Sequence, residues 1–224
     1  IIRMIAEIDG LERIRYTTSY PSEMTENIIT AHRDVSKLMP YIHLPIQSGS
    51  NTVLKAMNRQ YTREQYLDII DRFRAVRPDI AISSDFITGF PGETDADFED
   101  TMDIVRRVGY ASSFSFKFSA RPGTPASLMR NQIPEAVKTE RLIRLQELLL
   151  SQQKQFNQDT VGKTLEVLMI ENGTEKGQIS GYTPYLQNAH VAASKKYLGQ
   201  IVSVQITGAT ATSLSGKIVA KQSD

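Results

Sequence analysis

The stretch from Ile82 to Thr94 constrains the fold more than any other: an apolar run, a turn marked by two glycines and a helix start follow one another without a spacer. Ile80, Ile82, Phe86 and Ile87 are β-branched or aromatic, as a strand covered on both faces requires. Gly89 and Gly92 bracket a turn that only short side chains permit. Thr94 with Asp97 three residues on predicts a capped helix start, and Phe98, Met102 and Val105 continue it at helical spacing. Strand, tight turn and helix make one β/α unit, and such units bind ligands at the carboxyl end of the strand.

The pattern recurs along the chain. Ile1 to Ile8 suits the end of a helix stopped at Asp9-Gly10, and Ile14 to Thr18 predicts a strand closing at Ser19-Tyr20-Pro21. Ile28, Ala31, Val35 and Leu38 put one apolar stripe on a helix reaching about Leu38. Tyr41 to Ile46 reads as a strand, with Gln47-Ser48-Gly49-Ser50 as its loop. A short helix follows through Val53, Leu54 and Met57, then one capped by Thr62 and Gln65. Ser113 to Phe118 alternates as a strand and runs into the loop Ser119 to Ala126. Four strands with such loops predict an α/β fold, a parallel sheet with right-handed crossovers forming a partial barrel. An open doubly wound sheet has the same periodicity.

From Pro134 the pattern changes to one long helix ending near Gly162. Beyond it Thr164–Ile170, Gln178–Gly181, Ala189–Val191, Ile201–Ile206 and Ser215–Val219 predict five short strands, enough for a small closed β-barrel of the oligonucleotide-binding kind. The expected domains are residues 1–159 and 160–224.

Composition narrows the chemistry. With no cysteine the chain offers no disulfide, thiol nucleophile or thiolate metal site, and His32, His43 and His190 are too dispersed in sequence for a histidine metal site. A formal net charge of +1 makes any nucleic-acid binding local. No apolar run reaches membrane-spanning length, so no membrane role is expected. The opening Ile-Ile-Arg-Met-Ile carries no helix start signal, and a piece of a longer protein is expected.

In order, four segments are distinctive: His43-Leu-Pro-Ile-Gln-Ser-Gly-Ser50, Val53-Leu-Lys-Ala-Met-Asn-Arg59, Asp85-Phe-Ile-Thr-Gly-Phe-Pro-Gly-Glu-Thr94 and Phe118-Ser-Ala-Arg-Pro-Gly-Thr-Pro-Ala126. Together they resemble the radical S-adenosylmethionine methylthiotransferase family over about residues 10–160, and the terminal β segments resemble its TRAM domain. The resemblance implies a partial barrel of the radical S-adenosylmethionine type, incomplete at its amino terminus. It implies S-adenosylmethionine and two four-iron clusters in the full-length protein. It also implies a cytoplasmic, monomeric enzyme that adds a methylthio group to its substrate by radical chemistry. The family's Cys-x3-Cys-x2-Cys motif is absent here, so this stretch alone is expected to be inactive and to bind S-adenosylmethionine weakly.

The family's loops carry over residue by residue. Gln47 and Ser48 are expected to bind the cofactor's hydroxyls or head group, or else to cap the next helix. Asp85, acidic in an otherwise mostly apolar strand, needs a partner and is expected to meet the cofactor, with a structural salt bridge as the competing role. Gly89 and Phe90 would meet its adenine, whereas Glu93 favours structural support of the helix start. Arg121, between a strand end and a Pro-Gly turn, is a candidate for an anionic or planar substrate group. Lys55 and Arg59 could reach phosphate or carboxylate, or act as ordinary surface cations.

Residues 181–191 are similar to the TRAM segment of the branch that modifies tRNA at N6-dimethylallyladenosine next to the anticodon. Tyr182 and Tyr185 offer stacking faces, and Lys195 and Lys196, with Lys163, Lys176 and Lys217, offer phosphate contacts on a tRNA anticodon arm. Two competing readings are an aspartate of a ribosomal protein as substrate, and a non-catalytic RNA-binding module.

Overall fold

The structure, a computed structural model, describes residues 1–18 and 20–219; Ser19, the expected close of the first strand, and residues 220–224 of the terminal domain lie outside the described residues. Two compact units, Ile1–Leu150 and Ser151–Asp224, divide the chain.

The first unit runs α1 (Ile2–Ala6), α2 (Glu26–Asp34), β1 (Tyr41–His43), α3 (Asn51–Ala56), α4 (Arg63–Val76), β2 (Ala81–Thr88), α5 (Asp95–Val108) and β3 (Ser112–Lys117), and α6 (Glu135–Gln158) begins in it. The strands form one parallel sheet in the order β1-β2-β3, with Ile42 opposite Ile82 and Asp85 opposite Phe114. Helices α4 and α5 both start on complete capping boxes, Thr62 with Gln65 and Thr94 with Asp97, as expected. Each such cap stabilises its helix by about 1 kcal/mol.

The strand expected at Ile14–Thr18 is not formed. Ile14 makes a single bridge to Leu38, bonding the carbonyl of Lys37 and the amide of Met39, and neither residue belongs to the sheet. Helix α2 also stops at Asp34, short of Leu38. Strand β1 is shorter than its apolar run because Pro45 has no amide to donate and Gln47 takes a left-handed conformation at φ 73°.

The core lies between sheet and helices. Ile42, Leu44, Ile46, Ile82 and Phe86 meet Tyr66, Ile70, Phe73, Phe98 and Val105, and Leu145 and Leu149 of α6 join them. Burying each such side chain contributes about 1.5–3 kcal/mol. The irregular backbone after β1 is satisfied by side chains: Tyr66 donates to the carbonyl of Leu44, Tyr61 to those of Pro45 and Ile46, and the amide of Ile46 donates to Ser84.

His32 sits fully buried in this layer, its Nε2 2.8 Å from the Tyr16 hydroxyl and its ring edge-on to Phe73. Nδ1 has no partner among the described residues. Burial, with a smaller push from Arg77, lowers its pKa from 6.5 to about 4. The folded state therefore refuses a proton that the unfolded chain accepts. This stability is complete above about pH 6.5 and is lost as pH falls towards 4, a change of about 3 kcal/mol. Urea titrations at pH 7 and 4.5 should show the loss, and His32→Leu should shrink it.

The second unit forms a closed barrel from β4 (Thr164–Asn172), β5 (Gln178–Tyr182), β6 (Asn188–Ala192), β7 (Ile201–Ala209) and β8 (Ser213–Ile218), in the order β4-β5-β6-β8-β7. Val167, Met169, Ile179, Val191, Val204, Ile206 and Leu214 fill it. A buried polar knot braces one end. Gln187 donates to Asn157 and Thr160 and accepts from Thr183, and Asn157 donates to the carbonyls of Thr210 and Ala211. This knot fixes the loop between β5 and β6, where Leu186 takes φ 65° and Tyr185 packs edge-on against Phe156.

Candidate active site

Strand residues alternate between faces, so β2 sends Ile82 and Phe86 into the core and turns Ser83, Asp85 and Ile87 to the other side of the sheet. There, by register, they meet His43 of β1 and Ser112, Phe114 and Phe116 of β3. Nδ1 of His43 lies 2.9 Å from the Ser83 hydroxyl and Nε2 lies 3.5 Å from an Asp85 oxygen, while its ring stands edge-on to Phe114. His43 is thus the partner Asp85 needs, and 29% of the Asp85 side chain stays open to solvent. Phe114 and Phe116 are 59% and 56% exposed, two large rings on the face away from the core.

The carboxyl ends of the three strands lie at one end of the sheet, since all are parallel. Gln47 is bonded through its backbone to Asp85 and Ile87 on either side of Phe86. Ser48 is fully buried, its hydroxyl 3.4 Å from that of Thr101 and accepting from the Ser50 amide. Gly49 donates to Thr101 and runs so close to α5 that a Cβ would lie 2.4 Å from the carbonyl oxygen of Asp100. Ser50 donates to Asp97 at 2.5 Å. Burial pushes the Asp97 carboxyl up, but bonds from Ser50 and Thr94 outweigh it and hold its pKa below the usual carboxylate range.

The second loop is held from below. The Gly89 amide donates to Oε1 of Glu93 at 2.9 Å, and Arg141 of α6 donates to the same oxygen at 2.8 Å. Arg141 also donates to the Glu93 carbonyl and to Asp95. Both members of the ion pair are buried, and burial raises the Glu93 pKa against the opposing pull of the Gly89 amide and Arg141. Gly89 sits at φ 73° with the stem of Lys138 where a side chain would go. Phe90 is buried edge-on to Phe118, at 5.1 Å.

The remaining candidates are spread out. Arg121 is exposed in the turn after β3, where Thr124 bonds its carbonyl. Lys55 is exposed on α3, and the Arg59 guanidinium lies 6.0 Å from the Tyr20 ring centre. In the second unit Lys195 and Lys196 are exposed on a single 3-10 turn, with Lys196 Nζ 5.0 Å from the Tyr197 ring centre. Tyr182 ends β5 opposite Asn188.

Sequence reasoning passed over His43, Ser83, Phe114 and Phe116 as site residues. The signal for the rings was the repeat of Phe at 114, 116 and 118.

An iron cluster does not fit the residues present. The chain has no cysteine, and among the described residues no group of three or more His, Cys, Asp or Glu is placed to hold a metal. S-adenosylmethionine has one accessible polar group to meet here: Gln47 and Ser48 are buried and the Gly89 amide is spent on Glu93, whereas the partly open Asp85 carboxylate is chemically able to accept from a hydroxyl or an ammonium group. Among the described residues no helix is long and apolar enough to cross a membrane.

In chain order, a parallel α/β sheet with polar loops at the carboxyl ends of its strands is followed by a closed five-stranded barrel. The Radical SAM superfamily matches residues 1–105 and the TRAM domain residues 158–219. The fold resembles that of coproporphyrinogen III oxidase from Escherichia coli, a radical SAM enzyme, with a TM-score of 0.50 at 13% identity over 76% of this chain and 47% of that one. The chain thus carries part of a radical S-adenosylmethionine domain followed by a TRAM domain. It is 56% identical over 97% of its length to the tRNA-2-methylthio-N(6)-dimethylallyladenosine synthase of Maricaulis maris and 54% identical to that of Rickettsia canadensis. It spans about half the length of these curated relatives, 48% and 49%.

Proposed function

We propose that this chain is the part of a tRNA methylthiotransferase that carries much of the reaction space and an RNA-binding barrel. The whole protein adds a methylthio group to C2 of N6-dimethylallyladenosine next to the anticodon, in the cytoplasm and as a monomer. Identity of 56% to the Maricaulis maris synthase over nearly the whole chain carries the reading. When bound, S-adenosylmethionine supplies the radical and the methyl group, with two four-iron clusters held by cysteines outside this stretch. Asp85 orients its hydroxyl or ammonium group, and the Gln47–Ser48 and Gly89–Phe90 loops shape the wall around it. Arg121, Lys55 and Arg59 approach the RNA from the first unit. Tyr182, Tyr185, Lys195 and Lys196 hold the anticodon arm from the second.

A chimera tests this. Replacing the matching half of the Maricaulis maris synthase by this chain, in a strain lacking the modification, should restore 2-methylthio-N6-dimethylallyladenosine in digested tRNA. Asp85→Ala in the chimera should abolish it. A folded chimera that leaves tRNA unmodified but methylthiolates a ribosomal-protein aspartate would move the assignment to that substrate, and one that modifies neither would favour a binding module.

A further inference from the structure

The face of the sheet turned from the core combines features that neither a buried surface nor an ordinary solvated one has. Phe114 and Phe116, two apart on β3, project to the same side roughly 7 Å apart and keep more than half of their surface exposed. Directly across from Phe114 stands Asp85, half-buried and paired with His43. Exposed rings next to a partly solvated carboxylate form a small amphipathic patch. An apolar strand or helix laid over it would strip water from the His43–Asp85 pair without supplying hydrogen bonds to the carboxylate, a costly burial. A planar heterocycle carrying an apolar branch and one N–H satisfies both halves.

We infer that Phe114 and Phe116 are the specificity-determining residues for the dimethylallyl group, and that Asp85 accepts the single N6–H left on the alkylated adenine. This inference rests on the proposed function and names where its substrate is read. The five-carbon branch packs across the two rings, and an adenine without it leaves them in water. An ionised carboxylate has about four acceptor sites, so Asp85 can serve His43, the cofactor and the base together. Discrimination then comes from apolar contact, and unmodified adenosine should bind at least about tenfold more weakly, because five carbons moved from water onto the rings are worth more than one decade of affinity.

The test is an NMR titration of the isotopically labelled whole chain with N6-dimethylallyladenosine and, separately, with adenosine. The alkylated nucleoside should shift amides of residues 83–87 and 112–117, about tenfold or more tighter than adenosine. Phe114→Ala with Phe116→Ala should erase that difference while leaving the adenosine response unchanged; since both rings are exposed, the spectrum elsewhere should report an intact fold. Equal affinities for the two nucleosides, a preference surviving the double variant, or no shift at millimolar nucleoside would each overturn the proposal. A parallel tRNA titration of the same sample separates the readings. Retained tRNA binding with a failed nucleoside result sinks only this patch, whereas loss of both counts against the RNA substrate itself.

Discussion

Replacing Arg141 by alanine should destabilise the first unit by about 3–5 kcal/mol, the cost of leaving a buried carboxylate without its cation. The Glu93 side chain is 1% exposed and that of Arg141 6%, and Oε1 of Glu93 accepts from both Arg141 and the Gly89 amide. Without the guanidinium the carboxyl has only one amide to hold its charge, and its pKa, already raised by burial, must climb further. The sign of the pH dependence follows. A carboxyl whose folded pKa exceeds the unfolded one keeps its proton longer when folded, so stability falls as pH rises through that window. The Arg141→Ala defect should therefore be greatest at neutral pH and shrink as Glu93 protonates. Adding Glu93→Gln should recover part of the loss, since a neutral amide oxygen still accepts from Gly89. Urea unfolding at pH 7 and 5 measures all three, and an Arg141→Ala variant as stable as the parent at pH 7 would show that the pair is dispensable. Weakening this pair should also loosen the Gly89–Phe90 loop, so Arg141 acts on the site by positioning and not by contact.

The same residues show what a sequence discloses and what it withholds. Thr62 with Gln65 and Thr94 with Asp97 are local arrangements, so both helix starts were legible from spacing alone, and the structure forms both capping boxes. The five short terminal strands were legible for a similar reason, because each alternates over a few residues between turn formers. Alternation gives a period but not a sign. Ser113 to Phe118 repeats like a half-buried strand, yet only the register with β2 reveals that Phe114 and Phe116 lie opposite the core. Pairings across distant segments were equally hidden. His43 meets Asp85 because β1 and β2 are neighbours, and Arg141 meets Glu93 because α6 returns beneath the second loop. The strand expected at Ile14 to Thr18 had good local propensity but, among the described residues, its backbone pairs as a single bridge, Ile14 with Leu38. Ser48 illustrates the converse limit: a hydroxyl in a ligand-end loop is also the right size to lie against Thr101, and in the folded chain it does.

Binding of tRNA by the whole chain should weaken by two to three powers of ten between 50 and 200 mM salt. Five lysines of the barrel, Lys163, Lys176, Lys195, Lys196 and Lys217, are all exposed, and only Glu166, Glu171 and Glu175 oppose them between residues 160 and 219. Two of those acids are occupied locally, Glu166 with the Ser203 hydroxyl and Glu171 with that of Ser180. Each lysine that neutralises a phosphate releases counterions and adds about 0.7–0.9 to the slope of log affinity against log salt, and five engaged together give the stated loss. Lys195→Ala or Lys196→Ala should each flatten the slope by just under one unit, and equally for any RNA sequence. Tyrosine substitutions should behave differently. Tyr185→Ala removes a ring from the braced β5–β6 loop, costing about 1–3 kcal/mol of a stacked base while leaving the salt slope unchanged. Filter binding or fluorescence anisotropy across a salt series, with an unrelated structured RNA alongside, separates the two kinds of contact. A slope unaltered by removing both Lys195 and Lys196 would place the RNA on another face of the barrel, and a folded chain without affinity at 50 mM salt would end the case for tRNA as its partner.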